Sequence, residues 1–214
     1  MGVNNPIDLG IKGEPNPKIP HPSENDWNGL SLPWMSYGYG ILLTPLQILS
    51  FYNGIANNGE MVKPTFLEST SKLGSTNFYE FKKEIINPSI CSKKTLSIVQ
   101  KMLLDVIHHK NGTAKNIKSE HIKIAGKTGT AQIGYGTDEI NYISSFVGYF
   151  PADQPKYSCI VVVNSPNKDI GYYGSDVAAP VFKRIAEKIS SRFPIIEKHN
   201  YLSLIHISEP TRPS

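Results

Sequence analysis

Cysteine is nearly absent: the 214 residues hold 2, Cys91 and Cys159. One pair at most is no disulfide framework, and no zinc-ligand spacing surrounds either residue, so a cysteine-stapled fold and a structural zinc site are both excluded. Cys159 stands in the apolar run "YSCIVVV" and reads as a core thiol, while Cys91 lies beside a helix start. No apolar run approaches the ~18 residues of a membrane span, and Met1 is not followed by a signal-peptide pattern. Dense blocks of one charge are missing too. The 22 Lys and Arg against 18 Asp and Glu leave a formal charge of +4. Pairs such as Lys82-Lys83 and Lys93-Lys94 read as solvated faces, so no nucleic-acid partner is expected. What remains, 39% hydrophobic and 19% charged residues, is a globular chain long enough for one domain or a large piece of one.

The first forty residues are dense in Pro, Gly and Asn without sustained periodicity, and read as a long ordered loop region of the kind that borders functional sites. A helix follows, with Thr44 as cap, Pro45 at its first position, Gln47 as capping-box partner and Asn57-Asn58-Gly59 as its stop. "MVKPTFLE" reads as a short strand with Pro64 at an edge, followed by a Ser/Thr/Gly loop. A second helix is expected from Ser92 to His109, burying Leu96, Val99, Leu103, Val106 and Ile107. His108 and His109 suit the dipole of its last turn. No third ligand accompanies them, and neither a metal nor a cofactor is expected.

Beyond Asn111-Gly112 the pattern turns to strands: "HIKIAGKTGTAQ", "YISSFVGYF" and "KYSCIVVVN", joined by the turns "GYGTDEIN" and "PADQP". Short connections favour antiparallel pairing. A last helix from Asp176 to Arg192 is expected to bury Val177, Val181, Ile185 and Ile189. The fold class is therefore α+β, an antiparallel sheet flanked by helices.

"IAGKTGTAQ", Ile124 to Gln132, carries the chemistry. A phosphate-binding loop needs a glycine five residues before Gly126, where His121 stands, and a helix after the motif, where a turn and another strand follow. Lys127-Thr128-Gly129 instead matches the last of three motifs used by penicillin-binding proteins and serine β-lactamases. "YGYGILLTPLQILSFYNGIANNGEMVKPTF", "NGTAKNI", "GKTGTAQ", "FVGYFPAD" and "YYGSDVAAPVFKRI" follow in one order. Together they closely resemble the blocks of class B penicillin-binding proteins, above all the cell-division transpeptidases. The resemblance runs over about residues 2 to 192. It implies an incomplete fold of the serine β-lactamase and penicillin-binding transpeptidase type. The implied activity is a peptidoglycan D,D-transpeptidase that joins stem peptides through a serine, which β-lactams acylate.

The resemblance makes Lys127 and Thr128 catalytic residues and Gly129 and Thr130 substrate-binding ones. Lys127 supplies positive charge near a substrate carboxylate and a serine proton path. Thr128 and Thr130 offer hydroxyls to that carboxylate, and a backbone N–H near Thr130 is placed for an oxyanion. Gly129 lets an extended peptide approach the strand. Tyr172 and Tyr173 are either packing or cleft wall.

The nucleophile is missing. Ser69-Thr70-Ser71-Lys72 matches Ser-x-x-Lys and Ser75-Thr76-Asn77 matches Ser-x-Asn, but both sit in a loop and after the "TPLQ" block, which they precede in the family. Ser165-Pro166-Asn167-Lys168 is a turn, and Ser23-Glu24-Asn25 lies in the Pro-rich region. Residues 1–200 are therefore expected to be the C-terminal portion of a transpeptidase domain, inactive alone. Residues 201–214, including "LSLIHISEPTRPS", resemble translated sequencing adapter. For the complete protein, the resemblance implies an inner-membrane anchor, a periplasmic domain and divisome membrane proteins as partners. A non-catalytic β-lactam sensor or divisome scaffold is the alternative.

Overall fold

The computed structural model describes residues 2–10, 12–25, 27–67, 69–71, 78–134 and 140–193. The expected tail 201–214, Ser75-Thr76-Asn77 and most of the turn "GYGTDEIN" lie outside the described residues.

The N-terminal region is mostly irregular, as its composition implies, but it holds one short helix, α1 (Ser31–Met35). Helix α2 (Pro45–Ala56) begins as read. The Thr44 hydroxyl accepts from the Gln47 N–H, and the Gln47 side chain accepts from the Thr44 N–H. This reciprocal cap satisfies donors that helix geometry leaves without partners. Asn57 and Gly59 close the helix.

The next segment departs from expectation. Strand β1 is only Met61–Val62, with Pro64 beyond it. The loop that follows contains β2 (Ser69–Ser71) and β3 (Phe78–Glu80), paired antiparallel, while β4 (Ile85–Asn87) pairs with β1. Strands of two or three residues carry too little alternation to be seen in sequence.

Helix α3 (Lys93–His108) is capped by the Ser92 hydroxyl, which accepts from the Thr95 N–H. Leu96, Leu103 and Ile107 of its expected stripe are buried. Strands β5 (Ala125–Ile133), β6 (Asn141–Phe150) and β7 (Tyr157–Asn164) form an antiparallel sheet in the order β5-β6-β7. The ladder starts at Ala125 rather than His121. Ile122 and Ile124 precede it as core anchors, 6% and 1% exposed, so their apolar character serves packing rather than pairing.

The last described residues form α4 (Gly174–Val177) and α5 (Ala179–Arg192) instead of one helix from Asp176. Ala178 interrupts it, and Pro180 in the first turn of α5 has no N–H to continue the earlier helix. The expected stripe is displaced as well. Ala179, Phe182 and Ala186 are buried with Ile189 packed beside them, whereas Val181 and Ile185 are only partly covered. Alanines bring the helix backbone close to the sheet. The Phe182 ring then fills the space between Phe146 (4.8 Å, 66°) and Phe150 (5.7 Å, 87°) in edge-to-face contacts.

The central strand explains the layers. Phe146 and Phe150 face α5 and the end of α3, in a core with Ile107, Ile117 and Ile124. Tyr149 on the opposite face joins Ala125, Ile55, Leu96 and Leu103 beneath α2 and α3. Alternate residues of β6 thus enter two cores. Cys159 packs against the first core only partly buried, and both cysteines are free.

Candidate active site

Lys127 to Thr130 lie in the middle of β5, which is the edge strand of its sheet. The side of the strand that each backbone group faces follows from one hydrogen bond. The Gln132 N–H donates to the Tyr39 hydroxyl at 3.1 Å, so it points away from β6. In an antiparallel ladder, residues alternate between those bonded to the partner strand and those turned away from it. The register from Ala125↔Tyr149 to Ile133↔Asn141 is unbroken. Thr128 and Thr130 therefore share the orientation of Gln132, with N–H and C=O directed to the open edge. The Lys127 ammonium agrees, donating to the Thr128 carbonyl oxygen at 2.9 Å.

Around this edge the side chains are held from several elements. The Thr128 hydroxyl lies 3.4 Å from that of Thr113, in the loop after α3. The Thr130 hydroxyl accepts from the Gly174 N–H at 3.0 Å, at the start of α4. Asn116 donates to the Ser175 carbonyl at 2.9 Å, tying the α3–β5 connection to the same segment. Ser144, fully buried, donates to the Tyr172 carbonyl. Tyr172 stacks on Tyr142 (4.3 Å, 22°) and leans on Tyr173 (4.4 Å, 33°), so it packs, while Tyr173 is exposed.

Lys127 has no ion-pair partner among the described residues. The residue is exposed as a whole, but partial burial of its ammonium pushes the pKa below the ordinary lysine value. The folded pKa is depressed, so the unfolded chain binds more protons between the two values, and stability rises with pH across that window. Charge on Lys127 is complete below the lowered pKa and is lost as pH rises through it. Binding of a carboxylate-terminated peptide is expected to weaken over that range, below the pH at which a free lysine would titrate. Calorimetric titration at several pH values checks this, and affinity that holds level up to the ordinary lysine pKa would contradict it.

A side chain at Gly129 would rise from the sheet face rather than from its edge. Its first carbon would come within 2.5 Å of the Ser145 hydroxyl, on the residue directly across the ladder. Gly174 abuts the same backbone from the other face, where an added carbon would meet the Gly129 carbonyl oxygen at 2.5 Å. Gly129→Ala is expected to cost about 1–3 kcal/mol by overpacking. Adding Ser145→Ala should recover most of the loss, because the Ser145 Cβ itself stays 3.9 Å away. Thermal unfolding of the single and double variants gives the answer, and a double variant no better than the single would refute the contact.

Among the described residues no group of three His, Cys, Asp or Glu side chains could hold a metal, and no helix is long and apolar enough to cross a membrane. The rejected serine motifs stand as follows. Ser69 belongs to strand β2 and opens no helix. Ser165 occupies a turn with φ 48°. Ser23 is an exposed loop residue hydrogen-bonded to His21. Tyr39, Thr113 and Gly174 escaped assignment from sequence, because their partners lie 93, 15 and 44 residues away.

The family model for the penicillin binding protein transpeptidase domain matches residues 1–187. The chain belongs to this family. It is 33% identical over 183 residues to the peptidoglycan D,D-transpeptidase FtsI of Buchnera aphidicola subsp. Baizongia pistaciae, covering 85% of this chain and 30% of that protein. Among solved structures it is similar to apo penicillin binding protein 3 of Mycobacterium tuberculosis. The TM-score is 0.75 at 28% identity, over 89% of this chain and 44% of that one. The same protein complexed with aztreonam aligns with a TM-score of 0.72 at 27% identity, over 89% and 44%. The chain thus spans 30% of the length of that FtsI protein and 44% of each solved chain. Its α+β architecture is that of the family.

Proposed function

We propose that the chain is the C-terminal part of a peptidoglycan D,D-transpeptidase, which cross-links stem peptides by serine acyl transfer and is acylated by β-lactams. The observation that carries this reading is the outward-facing backbone of Thr128 and Thr130 on an open strand edge, beside the ammonium of Lys127. An extended peptide adds to such an edge through main-chain hydrogen bonds. The Lys127 charge and the Thr128 and Thr130 hydroxyls then receive its carboxylate. The Thr130 N–H, facing outward, is placed to stabilise an oxyanion, a role for which one donor is typically worth ~10²–10³ in rate.

The serine that attacks the peptide, the lysine that activates it and the Ser-x-Asn motif are assigned to polypeptide outside these 214 residues. Ser69 in a strand and Ser165 in a turn support that assignment, since an activated serine needs a base held within hydrogen-bond reach. In the complete protein the domain faces the periplasm on an inner-membrane anchor and works with divisome membrane proteins in septal wall synthesis.

Fluorescent penicillin tests the reading. The complete protein expressed from the source locus is expected to carry a covalent label that survives denaturing electrophoresis, and the 214-residue chain none. An adduct on the short chain would show that it holds its own nucleophile. An unlabelled complete protein, correctly folded, would remove the transpeptidase assignment.

A further inference from the structure

Among the described residues the Thr128 and Thr130 amides have no partner on the β5 edge, whereas the Gln132 N–H is taken by the Tyr39 hydroxyl. That contact is built from several parts. The Tyr39 ring meets Trp34 edge-on (5.6 Å, 84°) and Tyr37 at a steep tilt (5.5 Å, 64°). Its backbone N–H donates to the Trp34 carbonyl at 3.1 Å, and the Gly38 N–H donates to that of Met35 at 3.1 Å. Gly38 and Gly40, at φ 100° and 74°, turn the chain on both sides of the tyrosine in the left-handed region, where a residue with a side chain is strained. Ring and backbone of Tyr39 are thus both anchored on α1. The helix itself buries none of its residues and has its first turn in the loop-rich N-terminal region. An aromatic clasp whose hydroxyl ends on one strand amide is more than a packing contact needs.

We infer that Tyr39 is a positioning residue that ends the peptide-binding edge, a register stop for the substrate. This rests on the reading of β5 as the edge that receives an extended peptide. A peptide strand pairs with every second residue of an edge. With Gln132 engaged by Tyr39, the pairing run stops at Thr130 toward the C-terminal end of the strand. The ring stands where the peptide would continue alongside Gln132. The stop therefore sets how many backbone units of an extended, carboxylate-bearing peptide lie against the strand, and with them its register relative to Lys127. Removing only the hydroxyl frees the Gln132 amide and lengthens the run by one ladder hydrogen bond.

Amide exchange and a peptide titration on the ¹⁵N-labelled 214-residue chain test this, with diacetyl-Lys-D-Ala-D-Ala as the probe. In Tyr39→Phe the Gln132 amide is expected to exchange about ten-fold faster or more, while Lys127, Gly129 and Ala131, which pair with β6, keep their rates. In the wild type the peptide should shift the amides of Thr128 and Thr130 and leave Gln132 in place; in Tyr39→Phe, Gln132 should shift with them. Equal Gln132 exchange in both proteins, or a wild-type shift at Gln132 as large as at Thr130, overturns the stop while leaving the edge reading intact. No peptide shift anywhere along β5 removes the edge reading and the stop together. Retained protection of α3 amides reports that the variant is folded, and if it is not, the wild-type titration decides alone.

Discussion

Phe182→Ala is expected to destabilise the protein by about 3–5 kcal/mol, the usual cost of emptying a buried aromatic site. Phe182 is 0% exposed and meets both Phe146 and Phe150 edge-to-face, so truncation removes its own burial and two ring contacts at once. The neighbours are poorly able to collapse into the space. Phe146 is fixed by the ladders to β5 and β7 and Phe150 by the ladder to β7, and Ala179 and Ala186 on either side of Phe182 offer only methyl groups. Total stability of a domain is commonly about 5–15 kcal/mol, so this loss alone brings the fold near its threshold. Val181→Ala is the informative control. Helical spacing from Val177 places Val181 inward, whereas in the structure it is only partly covered. It should cost well under half as much, about 1 kcal/mol. Chemical denaturation of the two variants measures both values. Equal losses, or the larger one at Val181, would restore the stripe drawn from sequence and reject the packing described for α5.

Lys127→Ala in the complete protein is expected to slow acylation by fluorescent penicillin by about 10²–10⁴-fold, the range for loss of a positioned proton-transfer group. The structure gives the lysine two features that suit such work. Its ammonium already donates to the outward-facing Thr128 carbonyl, beside the edge proposed to receive the peptide, and its pKa is pushed down by partial burial. Lys127→Arg separates its two proposed duties. Arginine keeps the charge and holds carboxylates well, but it does not lose its proton and its planar fork has another shape. Substrate affinity should therefore survive in Lys127→Arg far better than the acylation rate. If arginine restores both, Lys127 acts as a carboxylate anchor alone. If alanine leaves the acylation rate within a few-fold of wild type, the site is misassigned.

How much of this was legible before the fold was known depends on the distance over which each signal acts. The Thr44–Gln47 capping box, the helix beginning near Ser92 and the three long strands rest on signals within a turn or a run of alternating residues, and all are present, with only the start of β5 displaced. The lysine-threonine-glycine motif was legible in the same way, as consecutive residues on one strand followed by a turn. The errors have a common cause. The stripe of α5 was drawn from branched aliphatic residues at every fourth position, yet a sheet face lined by Phe146 and Phe150 selects small alanines around one ring. The strands β1 to β4 were too short to show a period. The helix expected from Asp176 is interrupted at Ala178, where the N-terminal segment of α4 is held against β5 and β6 by the Gly174 contacts.

Sequence by itself determined the class of fold, the presence of the three long sheet strands and the place of Lys127 to Thr130 on one of them, because caps, alternation and motif order act between near neighbours. Tertiary structure decided which side of β5 is open, which of its amides face outward, and that Tyr39 closes the edge at Gln132. A strand presents hydrogen-bonding groups on both of its edges, and only the packing of distant segments determines which ones remain free.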